Sequence, residues 1–314
     1  MEDWKMSARR ADGSRRNERA FRPSLDGQIA LEPKVLLSHF HQPYGVPGQV
    51  RTAAAGSAVE VTTLQGQTFR IGVTHGRVQA KYMGNNQFAV TVVNSAIDSV
   101  LRVNPIIDYT GRGTAHTYNS RPNDYPNTVN IGSLTVKSGT IGSILGYRDA
   151  VLTGPLVSPG ASRIDRIAFY AVNAGASINT GGDVNILNVL NNLTVSGKNT
   201  GVVIGRDLNA LTVGGNITVS KNAVFSVGRD TGLTPQAQQG TAPDIGSNSA
   251  VVTGNLVINS GGKFIIGQHI VGPFVVQGSI AGASNITVNG IQTGFFANQL
   301  PFTQLFSVGG TITA

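Results

Sequence analysis

Apolar residues in the second half of the chain come in short β-branched runs set between Gly, Asn and Ser: Leu193-Thr194-Val195, Val202-Val203-Ile204, Leu211-Thr212-Val213 and Val224-Phe225-Ser226-Val227. This is strand patterning with turn punctuation, and no 3.6-residue period runs through it. The pattern also repeats. Asn192-Leu193-Thr194-Val195 and Asn216-Ile217-Thr218-Val219 open 24 residues apart, while Gly205-Arg206-Asp207 and Gly228-Arg229-Asp230 close 23 apart. Two further copies read Asn255-Leu256-Val257-Ile258 to Gly267-Gln268-His269, and Ser133-Leu134-Thr135-Val136 to Gly146-Tyr147-Arg148-Asp149. Periods of 20–50 residues point to solenoids or related repeats. Three strands per 23–24 residues supply one turn of a right-handed parallel β-helix, whose coils bury their apolar side only by stacking. A β-sandwich would carry hairpin dipeptides, yet the one Asn-Gly is Asn289-Gly290. Propeller blades need about 40 residues or more.

The rest of the chain falls into place around this repeat. Residues 1–45 are polar and basic, and the sequence predicts a disordered leader there. Residues 46–128 predict a small β-rich unit that caps the solenoid, with strands at Phe69-Arg70-Ile71-Gly72-Val73, Phe88-Ala89-Val90-Thr91-Val92 and Val100-Leu101-Arg102-Val103. The cap would cover an otherwise open apolar end. The β-helix is expected over 129–314, interrupted by a loop insertion at 231–249 that stretches the step from Asn216 to Asn255 to 39 residues.

Composition narrows the function classes. The 314 residues include 40 Gly and no Cys, so disulfides and thiolate metal sites are excluded. The formal charge is +8, but eight Lys/Arg and six Asp/Glu lie in residues 1–45, leaving sixteen and ten for the remainder. Such spread charge gives no reason to expect a nucleic-acid partner. No run of 18 apolar residues is present, so no transmembrane helix is expected.

Behind the arginine-rich leader stands Leu31-Glu32-Pro33-Lys34-Val35-Leu36-Leu37-Ser38. This octet resembles the LEPR-XLL motif near the N-terminus of very large, repetitive bacterial surface proteins. Leu31, Glu32, Pro33, Leu36 and Leu37 match position by position, and Lys34 stands where the family has Arg. The resemblance covers residues 15–40 or so. It implies a sorting or export signal and a location at the cell surface or outside the cell.

Catalysis would fall to the carboxylates. Glycoside hydrolysis uses two of them, about 5–9.5 Å apart. Asp149, Asp207 and Asp230 fall at matching repeat positions, each after an arginine (Arg148, Arg206, Arg229). A Gly-Arg-Asp unit that obeys the repeat reads as a charge-paired corner ladder. Asn192, Asn216 and Asn285 open Asn-x-Thr sequons and are expected to stack as a second corner ladder. Tyr109, Tyr118 and Tyr125, in a loop rich in aromatic and charged side chains, offer a surface or glycan contact. No metal site and no cofactor are expected. The sequence therefore predicts a non-catalytic, adhesin-like bacterial surface protein presenting a rigid solenoid. Its expected partners are cell-surface polysaccharide or matrix, with end-to-end or homo-oligomer contacts. A polysaccharide-binding or polysaccharide-degrading β-helix protein is the alternative.

Overall fold

The structure is a computed structural model. It describes residues 46–52, 56–106, 128–160, 163–197, 201–229, 250–270, 273–291 and 306–314, all within one compact unit, Pro43–Ala314. From Val129 onward this unit is a parallel β-helix. Its first face is built from Ser143–Leu145, Arg163–Phe169, Asp183–Val189, Leu208–Val213, Ala250–Val252, Phe274–Val276 and Phe306–Val308, each paired in parallel with the next. The second face stacks Ala150–Leu152, Ala171–Val172, Leu193–Val195, Ile217–Val219, Leu256–Ile258, Ile280–Ala281 and Ile312–Thr313. The third stacks Pro155–Ser158, Ser177–Thr180, Gly201–Ile204, Val224–Val227, Lys263–Ile270 and Ile286–Ile291.

Each face buries more than one inward column; Val195, Val219 and Ile258, for example, are buried in register beside Leu193, Ile217 and Leu256. On the second face Leu152, Val172, Leu193, Ile217, Leu256 and Ile280 lie in register and are all buried. On the third, Leu134, Leu156, Ile178, Val202, Phe225 and Phe264 do the same. Size is balanced within a coil. Phe225 and Phe264 stack with centroids 4.6 Å apart on the third face, and the neighbouring first-face position is the small Ala250, with Phe274 meeting Phe264 edge-on at 5.9 Å. Large beside small limits the space left at this layer to a small cavity.

On the second face the coil length varies while the register does not. In-register partners are 21 residues apart from Val172 to Leu193, 24 from Leu193 to Ile217, 39 from Ile217 to Leu256 and 24 from Leu256 to Ile280. Strand columns must match because each backbone group bonds to the coil above and below. Corners carry no such demand, so they absorb the differences. Val195 lies beside Val219 in parallel, as the repeat required.

One copy of the repeat is misassigned by spacing alone. Leu134 belongs to the third-face column with Leu156, whereas Leu193 and Ile217 belong to the second. Ser133-Leu134-Thr135-Val136 is thus one face out of phase with Asn192-Leu193-Thr194-Val195. Asp149 accordingly sits at the entry to the second-face strand Ala150–Leu152, while Asp207 enters the first-face strand Leu208–Val213. The two aspartates are not equivalent. Short Leu-Thr-Val runs look alike on any face because all faces want the same β-branched chemistry.

Ahead of the coils lie six strands: β1 (Val50–Thr52), β2 (Ala58–Thr62), β3 (Thr68–Val73), β4 (Arg77–Gly84), β5 (Gln87–Val93) and β6 (Val100–Pro105). β1, β2, β3 and β6 pair antiparallel in that order. β4 and β5 form a hairpin turned by Asn85 (φ 50°) and Asn86 (φ 59°), the left-handed pair that a two-residue hairpin favours. Pairing then switches to parallel: β6 joins Ser143–Leu145, and β5 joins β7 (Val129–Val136). The β7 strand bridges two faces, pairing Val129–Ile131 with Ala150–Leu152 and Leu134–Thr135 with Leu156–Val157. Phe69, Ile71, Phe88 and Val90 continue the same hydrophobic cluster as the coil columns.

Ile217, fully buried at mid-column, tests the stacking. Ile217→Ala is expected to destabilise the fold by roughly 2–5 kcal/mol. Thr218→Ala, on the outer side of the same strand, should stay within about 0.5 kcal/mol. Urea unfolding of both variants checks the contrast.

Candidate functional site

The polar side chains of the coils gather at corners, and three ladders result. The first stands where the third face turns into the first. Its sequence is Gly181-Gly182-Asp183 in one coil, Gly205-Arg206-Asp207 in the next, then Gly228-Arg229. Glycine is required here by space: a Cβ on Gly205 would collide with the carbonyl of Gly181, and one on Gly228 with that of Gly205. This tight turn delivers Asp183 and Asp207 to the start of buried first-face strands, where both are almost wholly shielded. Stacked buried carboxylates would repel one another. Arginines resolve this from one coil on. Arg206 Nε lies 3.3 Å from Asp183 Oδ1. Arg229 donates its Nε to Asp207 Oδ1 at 3.1 Å and its Nη2 to Asp207 Oδ2, a two-pronged pairing, while staying 3.8 Å from Asp183 Oδ1. The Asp207 backbone N–H also donates to Asp183 Oδ1 at 3.3 Å.

The second ladder crosses successive strands of the first face, from the exposed Asp165 to the buried Asn209. Arg163 Nε meets Asp165 Oδ1 at 3.2 Å, Asn185 donates Nδ2 to Asp165 at 2.9 Å, and Asn209 donates Nδ2 to Asn185 Oδ1 at 2.7 Å. It ends on a buried acceptor, Asn209 Oδ1, that has no partner; Asn209 borders a small cavity lined by Leu208, Leu211, Phe225 and Phe264.

The third ladder marks the corner between first and second faces. Asn192 Oδ1 accepts the Asn216 N–H at 2.8 Å, Asn216 Oδ1 accepts the Asn255 N–H at 2.7 Å, and Asn255 Oδ1 accepts the Ser279 N–H at 2.8 Å. Ser279 Oγ then takes the Thr311 N–H at 3.1 Å. Every rung satisfies a corner donor that no sheet partner reaches. The residue before each later rung is glycine (Gly215, Gly254, Gly278, Gly310), because a Cβ there would strike the oxygen of the previous rung. Asn285 stands elsewhere: it precedes Ile286–Ile291, a third-face strand, and Ser279 occupies the rung after Asn255.

The structure thus gathers Arg206, Asp207 and Arg229 in one ladder and Asn192 and Asn216 in another. Asp230 lies outside the described residues, as do Leu31, Glu32, Pro33, Lys34, Leu36 and Leu37 and the tyrosines Tyr109, Tyr118 and Tyr125. Spacing alone overlooked Asp183, whose Gly-Gly-Asp lacks the arginine of the other corners; its 24-residue distance to Asp207 was the signal available. It also overlooked the glycine ahead of each stacked polar residue.

Chemically, Asp165, Asp183 and Asp207 are each engaged by arginine or amide donors of the scaffold. Among the described residues no group of three His, Cys, Asp or Glu side chains is placed to hold a metal ion. No helix among them is long and apolar enough to cross a membrane. Comparison with protein-family models, curated proteins and solved structures finds no match for this chain.

Two substitutions probe the ladders. Asp207→Ala strips Arg229 of its two-pronged acceptor. The arginine is partly exposed, so the expected loss is about 1–3 kcal/mol rather than the full cost of orphaning a buried charge. Gly215→Ala should cost roughly 1–3 kcal/mol by displacing the Asn192 side chain, and less in an Asn192→Ala background. A double-mutant cycle by chemical unfolding measures that coupling; strict additivity would disprove the steric link.

Proposed function

We propose that this chain is a non-catalytic structural protein, exported from a bacterial cell, that presents a stiff β-solenoid at the cell surface or in the surrounding matrix. One observation carries the non-catalytic part. Asp183 and Asp207, stacked on successive coils, are each held by an arginine of the following coil, and Asp183 also accepts the Asp207 backbone N–H. A general acid or nucleophile has to reach substrate, and groups saturated by their own scaffold serve the scaffold. The ladders repeat from coil to coil, as a rod demands and a unique active centre does not. The export part is supported by the Leu31–Leu37 segment, which resembles the LEPR-XLL sorting motif of large repetitive surface proteins. An adhesin-like role follows from a rod that stands outside the cell and meets polysaccharide or matrix.

Each part has its own test. Residues 1–45 joined to a reporter in a bacterial host are expected to deliver it to the cell surface, and Pro33→Ala with Leu36→Asp and Leu37→Asp should retain it inside. A reporter that stays cytoplasmic with the unaltered segment would remove the export reading. Incubation of the full chain with pectate, alginate and xylan should release no new reducing ends or unsaturated products. Turnover abolished by Asp207→Asn would replace the structural role with an enzymatic one.

A further inference from the structure

The described arginines differ in what they meet: Arg166 donates to the Tyr147 hydroxyl, and others face a carboxylate or none. In the coils Arg163, Arg206 and Arg229 each face an aspartate. On the strands ahead of them, Arg51, Arg70 and Arg102 are exposed and, like Arg77 on β4, form no ion pair among the described residues.

The pairing register puts these three on one surface. Arg51 lies opposite Glu60, Glu60 opposite Arg70, and Arg70 opposite Asn104, so all four side chains leave the same side of the sheet. Arg102, two residues before Asn104 on β6, shares that side. The inward alternates Val59, Val61, Phe69, Ile71, Leu101 and Val103 are buried, which makes this the outer side. Backbone geometry places Arg70 about 8 Å from Arg102 on the diagonal and about 10 Å from Arg51 across two strands. Gly72 and Ala58 stand in line with Arg102, so nothing bulky rises between the guanidinium groups.

We propose that this outer surface, centred on Arg70 and Arg102 with Arg51 beside them, binds the carboxylates of a uronate-containing polysaccharide. The proposal deepens the surface-display reading above and rests on it for the partner's location. Three features select this ligand chemistry. All three cations are guanidinium forks, which match a planar carboxylate through two parallel bonds better than an ammonium does. The patch nets +2, three arginines against Glu60. That is modest for duplex DNA, whose charge recurs about every 1.7 Å, and Glu60 at its centre would oppose a dense phosphate array. A uronate chain spaces its carboxylates with hydroxyl-bearing ring atoms, and Glu60 accepts from those hydroxyls. The outer positions of β1, β2 and β3 in register with these arginines carry no large apolar side chain, and the single partly exposed Leu145 beside Arg102 is too little to enter a lipid interface.

Calorimetric titration of the full chain with polygalacturonate tests this, with dextran, duplex DNA and phosphatidylglycerol vesicles as comparators. Polygalacturonate is expected to bind and dextran not, with affinity falling as salt rises. Arg70→Gln combined with Arg102→Gln should weaken binding by about tenfold or more with an unchanged circular dichroism spectrum. Arg70→Lys with Arg102→Lys should recover only part of it, and Lys221→Gln with Lys263→Gln should leave it unchanged. Absence of polygalacturonate binding, full binding by the double glutamine variant, or tighter binding of DNA or vesicles would each overturn the proposal. None of these results bears on reporter delivery, so the display reading stands or falls separately; cleavage of the polymer would end the non-catalytic reading while leaving the binding surface intact.

Discussion

Backbone hydrogen bonding between successive coils is the constraint from which the rest of this structure follows. Each strand lies about 4.8 Å from the one before it, so every side-chain position is repeated at that distance along a column. A position therefore accepts only what can stand on a copy of itself or on a complement to it. Apolar columns meet this by packing, as Leu193, Ile217 and Leu256 do. Asparagine meets it by passing its carbonyl oxygen to the next backbone N–H. Glycine meets it by presenting nothing.

Aspartate meets it least well, and the first corner shows how the difficulty is resolved. Asp183 and Asp207 stack in a shielded turn where two bare carboxylates would be costly. The arginine that neutralises each of them comes from the following coil, so the ion pairs tie coils together along the axis instead of merely closing their own turn. Exposed ion pairs contribute little; these have one end buried, and Asp183 takes a backbone donor besides, which makes the corner specific to its register. The same logic makes the unpaired arginines of β1, β3 and β6 stand out, since the stacking rule gives them no role.

Much of this was legible in the chain. The 24-residue spacing of Asn192 and Asn216 and the β-branched runs between them were sufficient for a stacked parallel fold, and Val195 does lie beside Val219. Legibility failed where different faces use the same vocabulary. Leu134-Thr135-Val136 reads like Leu193-Thr194-Val195, yet it lies on another face. Asn285 opens the same tripeptide as Asn192, yet Ser279 takes the rung. In the opposite direction, Asp183 shares no flanking arginine with Asp207 and still joins its ladder.

What the sequence by itself determined is the repeat: its period, its strand chemistry and the corners where glycine and small polar residues must fall, because these are local demands of turns and pleated strands. Tertiary structure alone decided phase and partnership. Which of three like faces a run occupies, and which coil supplies the arginine for a given aspartate, depend on where the chain is after a full turn. Corner lengths set that, with in-register partners from 20 to 39 residues apart, and a variable corner leaves no periodic trace in the residues it separates.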